Sequence, residues 1–177
     1  MLVNGHSLLG HKNNMKNTIK HQINLKGRVR VITTKAGTKK VLRKSKWWDN
    51  LIVSGNNTGI NLIAQRLGGI NTYSLNITHA DIGTGTTNPS NSDTELETPV
   101  ARAPISSQEV VNNIVTLRFF FSDAVLPNGT YYEFGTFVDG LAGISTGKLF
   151  NRVLFGSPYT KSSGEDSTFE VEITINA

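Results

Sequence analysis

The stretch "STFEVEITIN", residues 167–176, decides how the chain folds. Phe169, Val171, Ile173 and Ile175 alternate with Glu170, Glu172 and Thr174. Successive side chains of a strand point to opposite faces, so this pattern describes a strand with one face in a core and one in water. Phe169, Val171, Ile173 and Ile175 are expected to face inward, with Glu170 and Glu172 as solubilising groups outside.

Upstream, further strands are predicted at 147–156, 130–139, 114–123, 99–111 and 72–83. Asn112-Asn113 and Pro127-Asn128-Gly129 mark turns between them. A single helix is predicted at 57–68. Asn57 or Thr58 can cap it, Ile60, Ile63, Ala64 and Leu67 form its apolar stripe, and Gly68-Gly69 ends it. Many short strands separated by turns predict an all-β protein, an antiparallel, jelly-roll-like β-sandwich with one short helix.

At the other end, Ile23, Leu25, Val29 and Val31 alternate with Lys26, Arg28 and Arg30. Ala36-Gly37-Thr38 then turns the chain into a second strand at 39–48. The predicted organisation is a basic N-terminal arm at 1–22 and one sandwich domain at 23–177. That domain includes a basic hairpin at 23–48 and the helix.

The formal net charge of +5 hides an asymmetry: residues 1–48 hold 12 Lys and Arg and no Asp or Glu. Residues 49–177 hold 6 basic and 13 acidic side chains, 6 − 13 = −7. The basic part can therefore attract the acidic domain, a neighbouring copy, or nucleic acid. Cysteine is absent, which removes thiol catalysis, Cys-ligated zinc and disulfides. No apolar run approaches the ~18–20 residues of a membrane helix, and the first residues lack a signal-peptide core. A soluble chain with no membrane partner is expected.

The chemical motifs are weak. "GISTGK", residues 143–148, is one residue shorter than a P-loop and is followed by Leu149, where a magnesium-binding hydroxyl belongs. His79 and Asp81 share a strand face but lack a third metal ligand at readable spacing. Asp93, Glu95 and Glu97 alternate in a polar run without the glycine and register of an EF-hand, so a solvated acidic loop is expected. There is no GxSxG elbow, and three of the four histidines precede residue 22. No enzyme, cofactor or metal site is expected.

"ADIGTGTTNPSNSDTELETPVAR" (80–102), "VTLRFFFSDAVLPNGTYYEFGTFVDG" (115–140), "KLFNRVLFGSPYTK" (148–161) and "STFEVEITIN" resemble small tail, baseplate or fibre-associated structural proteins of tailed phages. "WWDNLIVSGNNTGINLIAQRL" (47–67) resembles their upstream part, so the likeness spans roughly 27–177. Where that pattern continues E-x-G-L-F, this chain has Glu133-Phe134-Gly135-Thr136-Phe137. The resemblance implies a virion component made in the host cytoplasm, with other virion proteins and copies of itself as partners, in a ring or trimer. A capsid decoration or head-fibre role is the alternative, and nucleic-acid binding through the basic region a second one. The expected contact residues are Lys12, Lys16, Lys20, Lys26, Arg28 and Arg30, cations that need an acidic partner. Trp47 and Trp48 are the aromatic anchors, at least one of them buried. On this reading the 81–102 stretch is an ordered connector, whose glycines turn the backbone and whose polar side chains satisfy it.

Overall fold

The alternating stretch makes up most of the last strand, the seam that closes the sheet. The computed structural model describes residues 23–176. Its elements are β1 (Asn24–Lys35), β2 (Val41–Lys44), β3 (Trp48–Ile52), α1 (Gly59–Leu67), β4 (Ile77–Gly83), β5 (Pro99–Val111), β6 (Ile114–Phe121), β7 (Gly129–Val138), β8 (Lys148–Lys161) and β9 (Glu165–Asn176).

β9 pairs along its whole length with β1, from Asn24 opposite Asn176 to Lys35 opposite Glu165. Its other edge pairs with β6, from Ile114 opposite Thr174 to Phe121 opposite Ser167. The strand order β1-β3-β8-β7-β4-β5-β6-β9 returns to β1, and every pairing is antiparallel. The expected sandwich is therefore corrected to a closed eight-stranded barrel, with β2 as an extra strand on β1. The antiparallel all-β class and the one short helix stand as expected. Two strands act as corners. Residues 99–104 of β5 pair with β4, and residues 105–111 pair with β6, with an irregularity between Ile105 and Ser107. β3 pairs first with β1 and then with β8.

Inside, Val29 and Val31 of β1 meet Phe169, Val171 and Ile173 of β9, all at most 4 % exposed. Phe134 stacks on Phe169 at 4.8 Å, and Phe121 meets Phe169 edge-on at 5.7 Å. Each such buried side chain stabilises the barrel by about 1.5–3 kcal/mol. Ile175 departs from its expected place and is 42 % exposed at the barrel's end. A second, smaller cluster of Val53, Leu96, Phe137 and Leu149 lies apart from the main core. Leu96 belongs to the connector between β4 and β5 and pins it there.

The helix is shorter than predicted, its buried residues are Gly59 and Leu62, and of the expected stripe Ile63 packs partly against the core. Ile60 and Leu67 are 43 % and 85 % exposed. Its first turn is anchored tightly instead. Gly59 has φ +33°, and a Cβ there would fall 1.9 Å from the Val53 carbonyl. Thr58 holds the N-cap position without a side-chain capping bond, and its hydroxyl donates to the Gly55 carbonyl at 2.9 Å. The second strand of the predicted 23–48 hairpin is broken into β2 and the start of β3, which take successive stretches of one β1 edge.

Candidate functional site

Arg28 and Arg30 leave the outer face of β1 directly opposite Glu172 and Glu170 of β9. Arg28 Nε donates to Glu172 at 2.7 Å, and Arg30 is paired with Glu170. Arg118 of β6, the strand on the other side of β9, donates to the same Glu170 at 2.7 Å. Burial pushes the Glu170 carboxyl up, but its bonds to Arg30 and Arg118 outweigh this and hold it below the usual carboxylate range. Glu170 is 3 % exposed, so the expected solubilising role is corrected: it is a capped rung of an ion-pair ladder.

Trp47 lies beneath the same two arginines, whose guanidinium carbons sit 4.4 and 4.1 Å from its ring centre. Trp48 turns to the barrel wall and packs on Phe155 at 4.6 Å. Both tryptophans are half-buried, so the expectation that at least one would be buried is met only in part. Lys26 is exposed on β1 opposite Thr174. Lys12, Lys16 and Lys20 lie outside the described residues. The structure thus brings Arg28, Arg30 and Trp47 together, yet it supplies the arginines' acidic partners from the same chain.

Next to this ladder is a cleft of about 460 Å³ between the β2–β3 segment and β8. Arg43, Lys44, Lys46, Trp47, Trp48 and Tyr159 are among its lining residues. Arg43 spans it, donating at 2.6 Å both to Glu165 and to the Thr160 carbonyl. The hydrogen bond from Arg43 holds the Glu165 carboxyl below its ordinary range. Lys39, Lys40, Lys44 and Lys46 are exposed and form no ion pair among the described residues. The cleft therefore offers unneutralised cations beside flat rings. Sequence reading missed Arg43 and Tyr159, because only the fold brings residue 43 beside residues 159–165.

The other acidic groups hold loops. Glu133, fully buried, accepts N–H bonds from Gly85 at 3.0 Å, Glu97 at 3.0 Å and Thr98 at 2.7 Å. Arg152 Nε donates to it at 3.0 Å, and the same guanidinium reaches Asp93 at 2.7 Å. Glu97 accepts N–H bonds from Thr86 at 2.6 Å and Thr87 at 2.8 Å. The run expected to be a solvated acidic loop is therefore corrected to a clamp at Asp93 and Glu97, with Glu95 left exposed. Asp81 is buried against Arg102 at 2.9 Å and takes the Ser145 N–H at 3.0 Å. Burial pushes the Asp81 carboxyl up, and burial followed by the Arg102 charge pushes His79 down. The "GISTGK" loop thus seats a carboxylate through Ser145. Among the described residues no cluster of three or more His, Cys, Asp or Glu is arranged to hold a metal. No helix among them is long and apolar enough to cross a membrane.

The remaining feature is an apolar mouth of about 630 Å³ at one end of the barrel. Leu25, Ile63, Ile77, Val110, Leu117 and Ile173 help to line it. Close to it, Ile23, Val110, Val111 and Ile175 are 69 %, 68 %, 54 % and 42 % exposed. Comparison with protein-family models, with curated proteins and with solved structures gives no match.

Proposed function

We propose that this protein is a structural subunit of a tailed-phage virion, assembling through protein–protein contacts in the tail, baseplate or fibre region. The observation that carries this reading is the exposed apolar surface at the barrel mouth, where Val110 and Ile175 are 68 % and 42 % exposed. An exposed apolar patch of this kind marks a surface that another protein covers. The sequence resemblance over roughly 27–177 supports the virion class. The internal capping of Arg28, Arg30 and Arg43 by Glu172, Glu170 and Glu165 supports apolar contact, rather than arginine–acid docking, as the source of affinity. A capsid decoration or head-fibre role uses the same surface at a different station. Mass spectrometry of purified particles tests the reading, and labelled antibody on particles places the subunit. Particles that lack the protein overturn it.

A second reading, nucleic-acid binding, is favoured by Lys44 and Lys46, which form no ion pair among the described residues and line the cleft beside the rings. Cations along a backbone path with rings for stacking suit single strands. That binding would weaken steeply with salt and be lost in a Lys44→Ala, Lys46→Ala double variant. Salt-insensitive or absent binding removes it.

A further inference from the structure

We infer that the open edge of β5, residues 106–111, is a self-pairing surface on which a second copy of this chain adds its own β5 edge, antiparallel, about a two-fold axis. The inference rests on the self-association part of the proposed function, but not on the virion.

Residues 99–104 of β5 have β4 on one side. Beyond Pro104 the pairing with β4 stops, although β4 begins two residues before His79, and β5 keeps only β6 as a paired strand. Among the described residues, the other edge of 106–111 meets no strand. Its backbone N–H and C=O groups there form a template for another strand. All six residues of this segment are exposed.

Proteins usually blunt such an edge with lysine, proline or a covering loop. "SSQEVV" contains neither residue, and the irregularity at Ile105–Ser107 lies at its start. Consecutive strand residues face opposite ways, yet Val110 and Val111 are both exposed, at 68 % and 54 %. The strand end is therefore apolar on both faces, which a lone barrel does not need.

The occupant is a second copy because an antiparallel edge is complementary to itself under a two-fold axis. The charge pattern fits. The segment carries one charge, Glu109, and an axis through Gln108 sets Glu109 opposite the partner's Ser107 and not opposite a second carboxylate. Gln108, Glu109 and Val110 also line the apolar mouth, so the same pairing covers the rim.

The chain has no cysteine, which makes the test direct. Gln108→Cys would place two thiols across the axis. Directly opposed residues of antiparallel strands have Cα atoms ~4.5–5.5 Å apart, within disulfide range. Mild oxidation of the full chain is expected to give a covalent dimer with Gln108→Cys and none with Glu95→Cys, an exposed site on a distant loop. Sedimentation of the unmodified full chain is expected to show self-association. Gln108→Lys, which sets like charges opposite each other, is expected to weaken it about tenfold or more, with the thermal midpoint unchanged. Equal cross-linking of the two cysteine variants overturns the inference. So does a full chain that stays monomeric to ~1 mM, the weak end of specific binding. Self-association unaffected by Gln108→Lys also overturns it while leaving the virion reading to particle composition.

Discussion

Glu133 and Arg152, on neighbouring strands β7 and β8, form an ion pair 2.9 Å long with side chains 0 % and 3 % exposed. The pair closes a chelate around the β4–β5 connector. Glu133 gathers the N–H groups of Gly85, Glu97 and Thr98, while Arg152 reaches Asp93 and the Thr87 carbonyl. Two interior charges thus serve a loop that is also held by buried Leu96 and by the Ser54 N–H on the Asn91 carbonyl. Removing Glu133 leaves the Gly85, Glu97 and Thr98 N–H groups without their acceptor and Arg152 with Asp93 as its remaining carboxylate. Glu133→Ala is expected to cost about 3–5 kcal/mol of stability, measured by urea unfolding. A loss under about 1 kcal/mol would mean that the connector does not depend on this pair.

The same arrangement explains the glycines of "IGTGTT". A Cβ on Gly85 would lie 2.4 Å from Glu133 Oε1 and 2.5 Å from Glu97 Cβ. Gly85→Ala must therefore push the backbone away from the carboxylate. It is expected to destabilise by about 1–3 kcal/mol, as overpacking does. Amide exchange of Thr86 and Thr87, whose N–H groups bond Glu97, should accelerate. Gly37 is the control, since its turn has open space around the missing Cβ but a φ of +68°. Gly37→Ala should cost only the left-handed backbone penalty, about 1 kcal/mol. Gly85 has no left-handed φ, so a loss at Gly85→Ala no larger than that at Gly37→Ala would show that the carboxylate gives way at little cost and does not require glycine at 85.

Much of the fold could be read from residue order. Two-residue alternation in 169–173 and 29–31 put the correct side chains in the core, and the turn at Asn112 falls where the composition puts it. The turn expected at Pro127–Gly129 comes earlier, with the Val125 and Leu126 N–H groups on the Ser122 carbonyl, and Gly129 already opens β7. Closure could not be read. Alternation says which face of β9 is buried but not that its edge meets β1, whose paired residues lie 130 or more positions earlier. The same blindness hid the site. Arg28 and Arg30 looked like cations awaiting a partner, because Glu172 and Glu170 become their neighbours only once the ring closes. Local periodicity also misjudged the helix, whose position is set by the contact of Gly59 with Val53.

Acid should open the ion-pair ladder. The Glu165 and Glu170 carboxyls are held below their ordinary value of 4.5 in the folded chain. A depressed carboxyl favours the folded state above its unfolded pKa, and that contribution fades as pH falls through the folded pKa. Asp81 runs the other way: raised by burial from 3.8, it favours folding at low pH and loses that contribution as pH rises through its folded pKa. Glu97, bonded by the Thr87 N–H, and Asp123, bonded by Lys161, are held down as well, so four depressed carboxyls against one raised carboxyl give a net loss of stability below about pH 4.5. Urea midpoints at pH 7, 5, 4 and 3 check this. Glu170→Gln should shrink the change, and a flat profile from pH 7 to 3 would contradict the ladder's role.

Removal of residues 1–22 separates folding from assembly. Each pairing that closes the ring lies within Asn24–Asn176, including the whole β1–β9 seam. A chain beginning at Ile23 keeps those pairings and is expected to hold its circular dichroism and thermal midpoint. It should nevertheless assemble less well, because it loses Lys12, Lys16 and Lys20, three of the cations left for docking once Arg28 and Arg30 are capped within the chain. Sedimentation of the two chains side by side, at low and high salt, gives the comparison. The difference should shrink as salt screens the lysines. A shortened chain that unfolds would place 1–22 within the folded barrel, and one that assembles as well as the full chain at low salt would remove the three lysines from the contact.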